Sequence, residues 1–343
     1  MEQLFDQIRT LLQARYPILL LVTYEEDRME RALVEIARTE KRDLYQWTRT
    51  RGLLSFDGKD VSDTYSPALA LKAIESIAEP AIFAFSDLHP DLGDPEVVRR
   101  LRDLVRIMGP KKQSLCILSD RIRVPRELVK DVAILDVPLP SVSDVDALLS
   151  TLEKSHRLKI PADRREAFVR GSLGLTEREI KRLYARILIG GGRFGEEDLR
   201  ALSDEKRRAI RKSRFLEFWD TAGSMNSVGG MDNLKLWLEE RRLGFSDKAR
   251  SFGLPEPKGV FMLGVQGCGK SLMAKAVADL WRLPLLRLDV AAVFSASGNE
   301  ENSLRETVRV AESLSPVVLW IDEIEKGFDG RNGGGGEAFG YFL

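Results

Sequence analysis

The first half of the chain alternates between short apolar runs and longer amphipathic stretches. The apolar runs have the length of buried strands, and the stretches between them repeat apolar residues at helical spacing. The predicted strands span residues 17–23, 44–49, 81–86, 114–119 and 132–137, and the predicted helices span residues 28–39, 66–78 and 95–108. Five strands separated by helix-length segments predict a parallel sheet that is covered by helices on both faces.

After residue 140 the strand pattern gives way to helical periodicity. The predicted helices span residues 143–156, 161–170 and 176–188. Thr176 and Glu179 have the spacing of a capping box, in which two residues satisfy each other's backbone N–H groups at a helix start, and the glycines 190–192 are typical of a helix end. We therefore expect a small helical lid subdomain beside the sheet.

The sheet pattern returns in the last third of the chain. Further strands are predicted at residues 259–263, 284–290 and 317–321. The predicted domains are an α/β domain over 1–140, a helical lid over 141–200, a linker over 201–230 and a second α/β domain over 231–343. The predicted fold class is α/β, with two parallel-sheet modules in tandem, of which the second is incomplete.

Composition argues against a general affinity for nucleic acid or membranes. The 343 residues are 43% hydrophobic, enough for two cores, and 53 Lys and Arg balance 53 Asp and Glu. The basic run 206–214 is interpreted as a solvated linker helix, with nucleic-acid binding as the alternative. No segment has the pattern of a signal peptide or a membrane span, so we expect a cytoplasmic protein without membrane partners.

The His and Cys residues offer little for metal or acid–base chemistry. His89 and His156 lie among polar or charged neighbours and are expected at the surface. Cys116 and Cys268 have no metal-ligand spacing and fit a reducing compartment.

The residues 264–271 match the phosphate-loop pattern G-x-x-x-x-G-K-[ST] between an apolar run and a helical stretch. Glycines let such a loop turn its N–H groups inward, and the helix start adds partial positive charge where a phosphate binds. Lys270 is expected to reach the β- and γ-phosphates, and Ser271 to hold Mg²⁺. The predicted ATP-binding residues are Gly264, Val265, Gln266, Gly267, Cys268, Gly269, Lys270, Ser271 and Leu272.

A second nucleotide-site motif lies at the end of the apolar run 317–321. Asp322 and Glu323 follow this predicted strand, and an apolar strand that ends in two carboxylates has the form of a Walker B motif. We expect Asp322 to hold Mg²⁺ through water and Glu323 to polarise the water that attacks the γ-phosphate, with Lys270 as its catalytic partner. Phosphate loop and acidic strand end together predict an ATPase site.

Several further motifs resemble those of a known family. Gly229-Gly230 with Leu234, Lys235 and Leu238, the run 257–264, the two nucleotide motifs and the run 321–326 resemble an AAA ATPase module. Leu288-Asp289-Val290 and the runs 299–302 and 320–326 are similar to the divergent AAA family found as a hypothetical reading frame in plastid and cyanobacterial genomes, as are the runs 15–19, 81–85 and 135–140. The resemblance thus covers nearly the whole chain.

The resemblance implies that the first module is a degenerate AAA module. Its loop after the first strand, residues 23–28, has three carboxylates and no glycine, so we expect no nucleotide there. A plastid-encoded member would be stromal. The family's sensor strand, arginine fingers and second lid would follow Glu323, so we expect a truncated product with slow hydrolysis.

The leading hypothesis is an oligomeric ring ATPase that couples MgATP hydrolysis to the rearrangement of an unknown protein partner. Phe294 keeps an aromatic residue near the family's pore position but not the spacing, and it is interpreted as a core residue. One alternative is a nucleotide-gated regulatory protein without motor activity. Another is a non-functional fragment.

Overall fold

The computed structural model describes most of the first half of the chain and separate segments of the second half. The described residues are 2–58, 60–156, 159–192, 194–212, 215–219, 225, 228–245, 249, 252–254, 258–265, 267–281, 283–295, 304, 307–308, 310–312, 314–315 and 317–322. The chain divides into two compact units, unit 1 (Met1–Ile160 with Leu175–Gly192) and unit 2 (Pro161–Gly174 with Arg193–Leu343). Among the residues described, none belongs to a helix that is long and apolar enough to cross a bilayer.

Unit 1 is built on a sheet of seven strands. Its strands are β1 (Ile18–Val22), β2 (Asp43–Thr48), β3 (Gly52–Ser55), β4 (Asp60–Val61), β5 (Ala81–Ser86), β6 (Ser114–Ser119) and β7 (Val132–Asp136). Its helices are α1 (Glu2–Gln13), α2 (Glu26–Glu40), α3 (Pro67–Ser76), α4 (Pro95–Lys111), α5 (Val142–His156) and α7 (Glu177–Ile189). Each strand and helix predicted in this half of the chain is therefore confirmed to within a few residues.

The five predicted strands of unit 1 are parallel and lie in the order β2-β5-β6-β1-β7. Alternate residues of β1 point to opposite faces, because successive side chains of a strand do so. Leu20 packs with α3 and α4 on one face, and Leu19 packs with α1 and α2 on the other. The predicted parallel sheet with helices on both faces is confirmed.

A hairpin at one edge of this sheet was not predicted. β3 and β4 extend the sheet beyond β2 with antiparallel pairing. Thr64 anchors the hairpin, since its carbonyl accepts a hydrogen bond from Trp47 Nε1 at 2.7 Å and its hydroxyl accepts one from Leu53 N at 2.7 Å. Gly52 has φ +72° and passes so close to Thr64 that a Cβ would lie 2.9 Å from the hydroxyl. These strands are too short to give a periodic signal.

The lid helices, as we call α5 and α7, follow the sheet of unit 1. The predicted capping box of α7 is confirmed: Glu179 N donates to Thr176 Oγ1 at 3.2 Å, and Thr176 N donates to Glu179 Oε2 at 3.0 Å. Gly190 ends the helix. The intervening helix α6 (Ala162–Ser172) belongs to unit 2, where it packs against α8 (Glu196–Lys212).

Unit 2 also contains a small sheet with the order β10-β9-β8. Its remaining elements are β8 (Leu216–Trp219), α9 (Asp232–Arg242), α10 (Lys270–Trp281), β9 (Leu285–Leu288), α11 (Val290–Ser295) and β10 (Val318–Ile321). β9 and β10 are parallel, as predicted, whereas β8 is antiparallel to β9 and falls where the sequence indicated a linker. β8 escaped prediction because only four residues carry its signal.

The strand predicted at residues 259–263 is wrong. Residues 258–265 have no regular secondary structure, and Phe261 and Leu263 are 77% and 92% exposed. A strand needs a neighbour for its backbone N–H and C=O groups. Among the described residues, β9 is already paired on both sides, and no strand adjoins this segment. Met262 nevertheless packs against the cluster that α9 and α10 form.

Candidate nucleotide site

The phosphate loop leads directly into α10, a helix of twelve residues. Gly264 and Val265 belong to the irregular segment before the loop, and Lys270, Ser271 and Leu272 form the first turn of the helix. Gly267 and Gly269 have φ of +83° and +91°, a backbone region that glycine enters without strain. The two glycines therefore permit the tight turn that presents the helix N-terminus, where an anion is favoured.

Lys270 folds back over the loop that precedes it. Its Nζ donates to the carbonyl oxygens of Gly264 at 2.9 Å and Val265 at 3.1 Å. The ammonium thus lies over the turn and is positioned by backbone atoms. Cys268 Sγ lies 3.9 Å from the same Nζ, and a Cβ on Gly264 would meet this sulfur at 2.7 Å. Glycine at 264 is therefore needed for the thiol to pack against the loop.

Asp322 directly follows β10 and is half-buried. α10 is joined to β9 by a short turn, in which Leu283 N donates to Ala278 O at 2.9 Å. Because α10 packs on β9 and β10 and is joined to the start of β9 by this turn, we expect its N-terminus, with Ser271, at the sheet edge where Asp322 follows β10. Gln266 and Glu323, also predicted site residues, lie outside the described residues.

The donors at this edge fit a Mg²⁺-bound polyphosphate. A hydroxyl and a carboxylate are the hard oxygen ligands that Mg²⁺ prefers. The ammonium of Lys270 and the N-terminal N–H groups of α10 supply the complementary charge for phosphate oxygens. The assignment of the nine loop residues and of Asp322 and Glu323 remains a prediction.

The motif before the phosphate loop packs directly on α10. Lys235 Nζ donates to Val228 O at 2.6 Å, and Leu238 O accepts a hydrogen bond from Trp281 Nε1 at 3.1 Å. Val228 and Leu238 are buried against Met273 of α10. The resemblance motif at residues 229–238 therefore holds the helix that carries Lys270.

His89 is not a surface residue, contrary to the prediction. Its side chain is 16% exposed and lies between the carboxylates of Asp87 and Asp120, at 3.8 and 3.9 Å. Ser119 Oγ lies 3.1 Å from His89 Nδ1 and 2.9 Å from Arg121 O, and it closes the turn after β6. Asp87 follows β5 and Asp120 follows β6, and the sequence does not show that the ends of these two strands meet around His89. His156 is exposed, as predicted.

The corresponding loop of unit 1, after β1, is built differently. Glu25 and Arg28 are buried there and form an ion pair with 2.5 Å between Oε2 and Nη1. Arg28 Nη2 also contacts Asp144 Oδ2 of α5 at 3.2 Å. Burial raises the pKa of Asp144, but hydrogen bonds from Ser141 and the Arg28 charge outweigh it and hold the pKa below its ordinary value.

Glu177 of α7 is also held in its charged form. Burial opposes its ionisation, but a hydrogen bond from Lys181 and the charge of Arg31 lower the pKa below its ordinary value. Arg31 Nη2 lies 2.7 Å from Glu177 Oε2. Within the described ranges, no group of three or more His, Cys, Asp or Glu side chains has metal-binding geometry.

A glycine-rich loop that leads into a helix packed on two parallel strands, here β9 and β10, is typical of P-loop nucleotide-binding proteins. Three family models match the chain. Residues 4–137 match the N-terminal domain of SpoVK-like AAA ATPases, residues 143–213 match the second domain of the same proteins, and residues 260–340 match the ATPase family associated with various cellular activities.

Individual relatives match along almost the whole chain. The AAA domain-containing protein ycf46 of Trieres chinensis is 35% identical over 96% of this chain and 67% of its own length. The ycf46 protein of Guillardia theta is 34% identical over 94% of this chain and 65% of its own length. The chain belongs to the AAA ATPase family, with SpoVK-like domains, and these plastid relatives confirm the resemblance to the divergent AAA family of plastid and cyanobacterial genomes. It spans about two thirds of the length of these relatives.

More distant matches cover less of the chain. The ribosome biogenesis ATPase RIX7 of Saccharomyces cerevisiae is 28% identical over 47% of this chain and 22% of its own length. Among solved structures, the HORMA, CdnC and Trip13 complex of E. coli MS115-1 matches at 14% identity and a TM-score of 0.42, over 58% of this chain and 86% of that one. This likeness is too distant to bear on function.

Proposed function

We propose that unit 2 binds MgATP at the phosphate loop and hydrolyses it. The observation that carries this proposal is that Lys270 and Ser271 form the first turn of α10 and that Asp322 directly follows β10, which packs on the same helix. Lys270 binds the β- and γ-phosphates, and Ser271 and Asp322 hold the metal ion. Glu323, next in sequence, polarises the attacking water. When bound, Mg²⁺ would neutralise the negative charge that develops on the phosphate oxygens during hydrolysis.

The Lys270 ammonium must exchange partners when a phosphate binds. In the structure it donates to the carbonyls of Gly264 and Val265. A phosphate oxygen is the stronger acceptor, because a hydrogen bond between two charged groups exceeds one to a neutral carbonyl.

The test is MgATP binding by the purified chain, measured by calorimetry, beside Lys270→Ala and Lys275→Ala. Losing a hydrogen bond to a charged group costs about 1.5–3 kcal/mol, so we expect Lys270→Ala to weaken binding roughly 10- to 150-fold. Lys275 lies on the same helix, where it stacks over Trp219 at 4.9 Å, and its substitution controls for the loss of a positive charge. Equal affinity of all three proteins would contradict the proposal.

We further propose that the whole protein uses this site as an oligomeric ring that remodels a macromolecular partner. Family membership supports this proposal. Related motors complete the site with an arginine from a neighbouring subunit, which contributes about 10³- to 10⁵-fold to turnover elsewhere. Hydrolysis by the isolated chain is therefore expected to be slow, and Glu323→Gln should abolish what turnover there is while MgATP binding persists. Turnover unchanged in Glu323→Gln would remove Glu323 from the chemistry.

A further inference from the structure

The loop after β1 is the structural counterpart of a phosphate loop in unit 1. β1 lies inside the sheet between β6 and β7, and it is followed by a short loop and by α2. In P-loop proteins the phosphate binds between such a strand end and the helix start. Here Glu25, the residue before α2, is 7% exposed and carries a carboxylate into that position.

The Glu25 carboxylate is bound on both of its oxygens. Oε1 accepts a hydrogen bond from the backbone N–H of Glu177 at 2.6 Å, and Oε2 contacts Arg28 Nη1 at 2.5 Å. Glu177 is the first residue of α7, a helix of thirteen residues. The N-terminus of a helix carries partial positive charge and unpaired N–H groups, which makes it an anion site. In unit 1, the anion at this site is a side chain of the protein itself.

Arg28 extends the same contact to the other lid helix. It is 7% exposed, and its guanidinium donates to Pro138 O at 3.0 Å and contacts Asp144 Oδ2 at 3.2 Å. Asp144 belongs to the first turn of α5 and also accepts hydrogen bonds from the Ser141 N–H and hydroxyl, at 3.0 and 2.8 Å. One buried ion pair therefore holds the N-termini of both lid helices against the loop after β1.

The solvent-exposed ion pairs of the lid helices contribute less to their attachment than the buried Glu25–Arg28 pair does. Arg31 and Lys181 reach Glu177 from the solvent side, and their side chains are about half exposed. Exposed pairs of this type contribute little because water screens them. Removing one partner of a buried pair leaves an uncompensated charge, so Glu25 and Arg28 dominate the attachment.

We propose that the Glu25–Arg28 pair is an internal clamp that takes the place of a nucleotide phosphate in unit 1. Glu25 supplies the anion at the N-terminus of α7, and Arg28 neutralises it and binds α5. The lid helices are held on the sheet whether or not ATP is present. Unit 1 is consequently a fixed platform, and the nucleotide response of the protein belongs to unit 2. A free polyphosphate is repelled from the first site by the Glu25 carboxylate.

The clamp is tested by amide hydrogen exchange of the full chain, read by mass spectrometry. The variants are Glu25→Gln, which keeps the shape and an acceptor oxygen, and Arg28→Met. The control is Arg99→Met, which removes an exposed arginine paired with Asp103 on α4. We expect α5 and α7 to exchange at least tenfold faster in both variants, with α4 unchanged, and the control to match wild type. Unchanged lid helices, or equal acceleration throughout unit 1, would overturn the clamp.

A second arm tests independence from nucleotide without disturbing the clamp. MgATP is added to the Lys270→Ala chain, in which the site of unit 2 is weakened. We expect exchange of α5 and α7 to stay as it is without nucleotide. Protection of these helices by MgATP in this variant would show that nucleotide binds unit 1 and would overturn the proposal. This arm is read from exchange in unit 1, so its result is separate from whether unit 2 hydrolyses ATP.

Discussion

At the scale of single residues, the starts of α2 and α10 carry side chains of opposite charge. After β1 the chain presents Glu25, bound by Arg28 and by the N-terminus of α7. At the start of α10 it presents Lys270, held only by backbone carbonyls and the neighbouring sulfur in the contacts described. The Glu25 carboxylate already has its hydrogen bonds and its counter-ion within the protein, so it does not require a phosphate. The Lys270 ammonium, in contrast, gains a stronger acceptor than a backbone carbonyl when a phosphate binds.

Cys268 provides a test of this arrangement at the residue scale. It is exposed and packs against Gly264 beside Lys270, so an alkyl group on the thiol would crowd the loop. We expect alkylation by N-ethylmaleimide to weaken MgATP binding at least tenfold. Burial raises the pKa of Cys116 to about 12, so that thiol stays unmodified.

The control for alkylation is Cys268→Ala. This variant should bind MgATP with the affinity of the untreated wild type, and the reagent should not change that affinity. Mass spectrometry establishes that Cys268 carries the label. If fully labelled protein binds MgATP with unchanged affinity, Cys268 is only a small filler residue and the loop has room beside the phosphates.

At the scale of elements, the success of prediction depends on length and on partners. β5 and β6 were predicted to the residue because six consecutive apolar-rich positions are buried on both faces. The hairpin β3–β4 and the strand β8 have two to four residues each, too few to show a period. Residues 259–263 have the composition of a strand, but hydrogen-bonding neighbours, which composition does not encode, decide whether one forms.

Leu263→Ser tests the irregular conformation of this segment. Leu263 is almost fully exposed, so we expect the free energy of unfolding of unit 2 to change by no more than about 0.5 kcal/mol. Leu285→Ser in β9 is the matched comparison, because Leu285 is fully buried and its truncation should cost about 2–5 kcal/mol. Urea unfolding measures both. A cost above about 2 kcal/mol for Leu263→Ser would show that this segment is a buried strand.

The lid helices should respond to acid. The pKa values of Asp144 and Glu177 are lowered in the folded protein from ordinary values of 3.8 and 4.5. Their contribution to stability is therefore complete above these ordinary values and is lost as the pH falls through the folded-state values. Protection factors of α5 and α7 amides should drop below about pH 4 while those of α4 persist.

Asp144→Asn serves as the control for this pH dependence. The amide cannot ionise, so the acid loss of protection in α5 should flatten, while α5 is already less protected at neutral pH. Lid helices that keep full protection to pH 3 would contradict the role of these carboxylates.

At the scale of the whole molecule, the chain combines two modules. In unit 1 the loop after the first strand is neutralised by the protein's own side chains, whereas unit 2 has the hydrogen-bond donors that a nucleotide requires. The sequence foretold this division, since residues 23–28 lack glycine and residues 264–271 contain three. The sequence did not predict the clamp, because Asp144 and Glu177 lie more than a hundred residues after Glu25 and Arg28 in the chain and meet them only through folding. The residue types in the two loops therefore indicated which loop favours a phosphate, but the fold determines which distant residues contact each loop.

The most direct test is the number of MgATP molecules bound per chain at saturation, measured by equilibrium dialysis for the wild type and Lys270→Ala. We predict one per chain in the wild type and, because Lys270→Ala is expected to bind roughly 10- to 150-fold more weakly, clearly less than one per chain in the variant at the nucleotide concentration that just saturates the wild type. Two per chain, or one that persists in Lys270→Ala with wild-type affinity, would mean that unit 1 binds nucleotide and would contradict the division of roles between the two modules.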